Sequence, residues 1–491
     1  MGWREAERER ILGRLASRPA PDWFDEAKFG VFIHWGLFSI PAFAPKVGSI
    51  SDSLKAHYDR AMAMTPYTEW YANSIRVKDT PSARFHRKNF GGAPYEDFRA
   101  PFLAGLEDWD PKAWARIFRR AGARYVVLVS KHHDGFCLWP SRIANPKQED
   151  WTSRRDIVGE IADAVRGEGL KFGLYYSGGL DWTFSRAPLR TLADLLAGAP
   201  GGAYPAYAEA QMRELIDRYR PSILWNDISW PANERRLFAL FEDYYRAVPE
   251  SLVNDRWTAR SARSAALAKR PARRALDELI KARIAADPSA FEGVIPAPVP
   301  VSDFRTPEYA RFSTIQAGKW EATRGMSHSF GFNRNDAEAD YTSARTLLVD
   351  FVDAVAKNGN LLLNVGPRAD GEIPQPQLDR LEAFGSWLEA KGEAIYATTP
   401  WIRAEAKSAA GEEVRFTRRG EAVNVIVLAA PRGESLVLRD VALEGRGRVL
   451  GSGAEVIAAR QGEDSILRFS RPLNGEFAPA IRIETELDPG D

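Results

Sequence analysis

Three of the six histidines in this 491-residue chain stand at the ends of apolar runs, where turn residues would be ordinary. Phe29-Gly-Val-Phe-Ile-His-Trp-Gly36 delivers His34 and Trp35, and Tyr125-Val-Val-Leu-Val129 leads into Lys131-His132-His133-Asp134-Gly135. The run Lys171–Ser177 carries Tyr175, and Ser251-Leu-Val-Asn-Asp-Arg-Trp257 carries Arg256. In Ile223-Leu-Trp-Asn-Asp-Ile-Ser-Trp230 a short apolar strand runs straight into a carboxylate, Asp227, between Trp225 and Trp230. A second carboxylate, Glu308, follows Thr306-Pro307, while Glu69-Trp70 and Phe330 stand in less periodic stretches. Two carboxyls among aromatic walls suit glycoside cleavage with retention: one, ionised, attacks the anomeric carbon, and the other, protonated, serves the leaving oxygen. Histidine, arginine and tyrosine hydrogen-bond sugar hydroxyls directionally. Trp35, Trp70, Trp225 and Phe330 would wall the pocket with flat faces that suit the C–H side of a sugar ring.

The same residues admit other chemistry. His132-His133-Asp134 could hold a metal in a barrel hydrolase, but adjacent residues at a strand end point to opposite sides and neither an HxH nor an HExxH spacing occurs. No metal and no other cofactor is therefore expected. Asn254-Asp255-Arg256 could form a turn with a local ion pair, and Glu308 could be a helix N-terminal carboxylate favoured by the dipole. Spacing alone favours a glycosidase only modestly over other hydrolases, and leaves open a sugar-binding barrel without catalysis.

The elements that must position these residues alternate regularly. Asp110 caps a helix with Trp114, Ile117 and Phe118 on one face, and Ile157, Ile161 and Val165 mark another. Helices follow over Tyr207–Tyr219, at Leu237, Phe241, Tyr244 and Val248, over Leu347–Lys357, and over Gln377–Ala390. Strand–helix repeats with polar residues after each strand predict an α/β fold, a (β/α)8-like TIM barrel, over residues 1–398, with its site at the C-terminal strand ends. Residues 258–302 interrupt the rhythm: they are Ala- and Arg-rich, helical in pattern, and closed by Ile295-Pro-Ala-Pro-Val-Pro300. That insertion is either a solvated helical excursion or, lying between two site segments, a lid or oligomer contact. Residues 399–491 carry short alternating runs (Val414–Thr417, Ala422–Leu428, Ser435–Leu438, Ala480–Ile483) that predict a C-terminal antiparallel β-sandwich without a catalytic cluster.

Bulk properties narrow the partners. A net charge of +1 gives no electrostatic footprint for nucleic acid, and no run approaches the roughly 18 apolar residues of a membrane span. The single cysteine, Cys137, excludes an internal disulfide. The charged amphipathic start MGWREAERERILGRL has no apolar signal core, so a cytoplasmic location is expected. A homo-oligomer is left open.

Longer motifs carry a resemblance. FGVFIHWGLFSIPA (29–42), ARYVVLVSKHHDGFCLWPS (123–141), GLKFGLYYSGGLDW (169–182), ILWNDISWP (223–231), VNDRW (253–257), KWEATRG with SFGFNR (319–334) and KNGNLLLNVGPRADGEIP (357–374) resemble, in order, the α-L-fucosidases of glycoside hydrolase family 29. The resemblance implies a retaining exo-fucosidase that needs no metal and acts on a fucosylated oligosaccharide or glycoside. It implies Asp227 as nucleophile and Glu308 as acid/base, with Glu69 and Glu321 as competitors for the second role. It further implies a fucose-binding set of His34, Glu69, Trp70, His132, His133, Tyr175, Trp225 and Arg256, with Trp35 and Phe330 facing the sugar's apolar side and its C5 methyl group. The chain departs from the pattern in the long link between Trp257 and Asp303 and in Phe332, where tyrosine is common.

Overall fold

The computed structural model describes residues 5–185, 187–261, 266–267, 269–287 and 289–485. Parallel strands covered on both faces need nearly continuous apolar runs, and such runs form one curled sheet. Its strands are β1 (Phe29–Ile33), β2 (Tyr125–Lys131), β3 (Lys171–Ser177), β4 (Ile223–Asp227), β5 (Leu252–Val253), β6 (Trp320–Arg324) and β7 (Gly359–Val365), in the order β5-β4-β3-β2-β1-β7-β6. The helices Pro111–Arg120, Ile157–Gly167, Tyr204–Tyr219, Glu234–Ala247 and Ala344–Ala356 precede β2, β3, β4, β5 and β7. Asp110 caps the first, its carboxylate accepting the Lys112 amide at 2.8 Å. Asn358, at φ 73°, ends the last in the left-handed region.

Side-chain alternation sorts each strand between two cores. Phe32, Val127, Tyr175, Ile223, Trp225 and Leu362 pack together inside the curl. Val31, Leu128, Leu174, Leu224 and Leu363 pack outward against the helices. The bottom is closed by a short helix, Asp22–Ala27, entered through Pro21; its Phe24 meets Phe304 at 4.7 Å and Tyr125 at 5.6 Å.

The eighth stave of the expected barrel is irregular. Between β5 and β6 lies the extended segment 303–308: the Asp303 amide donates to the Val253 carbonyl at 2.9 Å, and single bridges join Arg305 to Trp320 and Glu308 to Thr323. Pro307, without an N–H, prevents a regular ladder there. The insertion supplies one long helix, Arg270–Ala286, and returns as a strap that pairs Val294 with Glu308.

The expected antiparallel β region begins with β8 (Thr399–Lys407) and continues through β9 (Glu413–Arg419), β10 (Ala422–Val427), β11 (Arg432–Leu438), β12 (Gly445–Val449), β13 (Glu455–Gln461), β14 (Asp464–Asn474) and β15 (Ala480–Glu484). These eight form one continuous sheet, β11-β14-β13-β12-β15-β10-β9-β8, which curls until its end strands meet at Ser408 and Leu438. Val414, Phe416, Val425, Leu467 and Ile481 fill its interior.

Candidate active site

A cavity of about 400 Å³ opens at the C-terminal strand ends of the parallel sheet. Period-two alternation decides what enters it. In β4, Ile223 and Trp225 face the interior, so Asp227 follows them to the cavity floor. In β1, Phe32 faces the interior and His34 follows, whereas Trp35 must turn outward. Trp35 accordingly does not line the cavity. It packs at 5.0–5.2 Å against Phe102, Trp109 and Trp114, and its indole N–H donates to the Arg368 carbonyl at 2.7 Å. The expectation that Trp35 faces a sugar is thus corrected.

A second expectation changes at β2. A register shift between Val129 and Lys131 turns Lys131 outward, where its ammonium meets Asp181 at 2.9 Å and lies 4.5 Å from the Tyr176 ring centroid. The chain then leaves the strand, and His132 and His133 do not point to opposite sides: their rings are 4.1 Å apart and both line the cavity. Among the described residues no group of three or more His, Cys, Asp and Glu is arranged to hold a metal.

Hydrogen bonds fix the histidine tautomers. Asn364 spends its amide N–H on the Phe330 carbonyl at 2.6 Å, so its oxygen accepts from His34 Nδ1 at 2.6 Å. Ser177 spends its proton on the Leu180 carbonyl, so its oxygen accepts from His133 Nδ1 at 2.7 Å. Burial pulls His34 down to about 3 and His133 to about 4. Both rings are neutral at pH 7, and each Nε2 offers a lone pair to a donor. His132 stacks on Tyr175 at 5.5 Å and 5°, its Nδ1 buried without a partner.

Arg256 joins the two carboxyls. Its Nη1 donates to Asp227 Oδ1 at 3.0 Å and its Nη2 to Glu308 Oε2 at 2.9 Å. Thr306 anchors it through Nε at 3.1 Å, and Asp255 in turn accepts the Thr306 hydroxyl at 2.6 Å. Asp227 also accepts from the Tyr175 hydroxyl and from the Ile228 amide, each at 2.8 Å. To aim that amide, Ile228 adopts φ 68°, a strained conformation for a β-branched residue that costs on the order of 1–3 kcal/mol. Burial works against ionisation of Asp227, but Arg256, His133, Tyr175 and the Ile228 amide outweigh it and lower its pKa. For Glu308 burial wins: Arg256 opposes it, the Asp227 charge reinforces it, and the pKa is raised. The environment thus drives the two carboxyls apart.

The competing carboxyls sit differently. Glu69 lines the cavity, is lifted by burial to about 7, and accepts the Gly331 amide at 3.0 Å. Glu321, also lifted by burial to about 7, does not line the cavity; it accepts from Tyr125 and, at 3.2 Å, from the Trp225 indole in the interior beneath it. Trp70, Trp225 and Phe330 line the cavity as expected. Phe332 does not; it lies 4.7 Å from the Arg368 guanidinium. Sequence reasoning missed Tyr67, whose hydroxyl lies 3.5 Å from Glu308 Oε1, and the strap 291–297, several of whose residues line the cavity. Tyr67 was findable two positions before Glu69 on the same turn.

A family model described as alpha-L-fucosidase matches residues 4–393. The chain belongs to the α-L-fucosidase family. Like other members it is a glycoside hydrolase with a TIM-barrel-like domain. It is 31% identical over 433 residues to the tissue alpha-L-fucosidase of Macaca fascicularis, covering 86% of this chain and 78% of that one. With the Bos taurus tissue enzyme it shares 32% over 428 residues, 85% and 76% of the two chains. Among solved structures, an alpha-L-fucosidase superposes with a TM-score of 0.83 at 38% identity, over 96% of this chain and 99% of that one. The Thermotoga maritima alpha-fucosidase in complex with a mechanism-based inhibitor gives 0.79 at 38%, over 96% and 98%.

Proposed function

We propose that this family member releases terminal α-L-fucose from a fucoside by double displacement, with Asp227 as nucleophile and Glu308 as acid/base. The observation that carries the reading is the Arg256 fork, which holds one oxygen of each carboxyl. Two carboxyls shared by one guanidinium suit the roughly 5–5.5 Å separation of a retaining pair better than the roughly 6.5–9.5 Å that an inverting pair needs for a water. The lowered pKa of Asp227 supports an ionised nucleophile and the raised pKa of Glu308 a proton donor. Neutral His34 and His133 accept sugar hydroxyls, Tyr175 orients Asp227, and Phe330 and Trp70 cover apolar ring faces. In the first step Asp227 attacks the anomeric carbon as Glu308 protonates the departing oxygen. In the second, Glu308 takes a proton from water, which displaces Asp227. The Thermotoga maritima relative has been solved in complex with fucose, which supports the sugar assignment.

One experiment separates the roles: hydrolysis of an activated aryl α-L-fucoside in azide. Asp227→Gly loses nearly all turnover and azide restores it as β-fucosyl azide, attack coming from the vacated face. Glu308→Ala yields α-fucosyl azide, because azide then intercepts the β-linked fucosyl-enzyme. Unchanged turnover in Asp227→Gly, or the opposite azide anomers, sinks the assignment.

A further inference from the structure

The cavity does not end at the carboxyls. Glu308 is hydrogen-bonded into the strap at the end of the insertion: its amide donates to the Val294 carbonyl at 2.7 Å, and the Val294 amide donates back at 2.8 Å. Gly293, at φ 76°, permits this approach, since a Cβ there would lie 2.7 Å from Ala310 Cβ and 3.0 Å from the Glu308 carbonyl. A carboxyl that protonates the leaving oxygen must stand on the leaving-group side of the anomeric carbon. The side chains flanking Glu308 there are the ones an aglycone meets.

Those side chains are apolar. The strap brings Phe291, Val294 and Pro296 to the cavity, and the short helix Leu192–Leu196 brings Leu195 and Leu196. Leu54, Met62, Leu195 and Phe291 belong to one apolar cluster that reaches Trp70 at the sugar pocket. At the mouth Leu196 is 54% and Val294 42% exposed, large apolar side chains left uncovered at a site. Outside the carboxyls and the sugar-binding set, the polar side chains of the lining are Tyr67, whose hydroxyl is turned to Glu308, and the hydroxyls of Thr65, Thr258 and Thr323. The wall is braced in place: Arg273 pairs with Asp194 at 3.3 Å, Lys281 with Asp59 at 3.2 Å, and Tyr58 donates to Asp277 at 2.9 Å. A sugar aglycone would need more directional hydrogen-bond partners than these few hydroxyls supply.

Resting on the fucosidase reading, we propose that the strap 291–297, the 192–196 helix and the 50–63 segment form a subsite for an apolar aglycone. The substrate class is then α-L-fucosides of alkyl or aryl alcohols rather than of oligosaccharides. The test uses the full-length chain with three kinds of substrate: α-L-fucosyl fluoride, which has no aglycone; n-alkyl α-L-fucosides from ethyl to octyl, whose leaving groups are chemically near-equal; and a fucosyl disaccharide. The expected result is a kcat/KM that climbs with chain length, by up to about fourfold per methylene, and exceeds that on the disaccharide. In Leu195→Asn/Leu196→Asn the climb flattens relative to fluoride release by the same preparation, and Leu195→Met/Leu196→Met restores it. A flat series, or a disaccharide preferred to the octyl fucoside, with fluoride release intact overturns the apolar subsite alone. Absence of fluoride release overturns the fucosidase reading, and the subsite with it.

Discussion

Arg256 governs the ionisation of both carboxyls at once. A buried cation lowers the pKa of each carboxylate it touches, and here it touches Asp227 and Glu308 together. On the proposed mechanism activity requires Asp227 ionised, which sets the acidic limb of the kcat/KM profile, and Glu308 protonated, which sets the alkaline limb. Removing the cation raises both pKa values, so Arg256→Met is expected to move both limbs to higher pH. A pH–rate profile on an aryl fucoside checks this; a shift of one limb only would mean that one carboxyl titrates independently of Arg256. At this scale much of the site was legible. Asp227 and His34 each close an apolar run of strand length, which is how a sequence marks the end of a buried parallel strand. Tyr67 and Thr306 were not legible, because their contacts to Glu308 and Arg256 join segments hundreds of positions apart along the chain or separated by an insertion, and no local pattern encodes them.

Elements translate pattern into direction, and two of them explain what the sequence reading misplaced. Trp35 follows His34 by one position, and one position in a strand reverses the face; treating both as site residues ignored that rule. Trp35→Ala is therefore expected to act on stability, by about 3–5 kcal/mol as for other large aromatic truncations in a core, read as a lower denaturation midpoint. The KM for an aryl fucoside should stay near that of the parent. A raised KM at unchanged midpoint would return Trp35 to the sugar pocket. In β2 the same rule misled in the other direction. The shift between Val129 and Lys131 resets the alternation, so His132 and His133 share a cavity that strict periodicity would divide between them. Bulges leave no mark on composition, and the Lys131–Asp181 pair that accompanies this one was visible only once the strands were paired.

Across the whole molecule, the barrel-like domain and the C-terminal sheet meet at Asp353, on the helix Ala344–Ala356. Its buried carboxylate accepts from Lys357 at 2.8 Å and from Arg415 of β9 at 2.6 Å. Burial alone would raise its pKa, but Lys357 and Arg415 reverse this and lower it. A carboxylate whose folded pKa is depressed stabilises the protein above its unfolded value, near 4, and that stability is lost as pH falls through the folded value. Arg415→Met should cost roughly 1.5–3 kcal/mol at neutral pH, the worth of a hydrogen bond to a charged group, and the gap to the parent should narrow below about pH 4. Thermal melts across pH measure both; a gap independent of pH would assign the loss to packing. The alternation of helices and strands made this architecture readable, while β12 was not, since Gly445-Arg-Gly-Arg448 offers no apolar period to read. The irregular eighth stave has one more consequence. Asp227 ends a strand paired on both sides, to β3 and β5, whereas Glu308 hangs on a segment that already accommodates a long insertion. On the proposed mechanism, divergence can therefore act on one carboxyl of the pair without the other: lengthening or trimming the loop before Asp303 would retarget the enzyme to new leaving groups while recognition of the sugar is inherited unchanged.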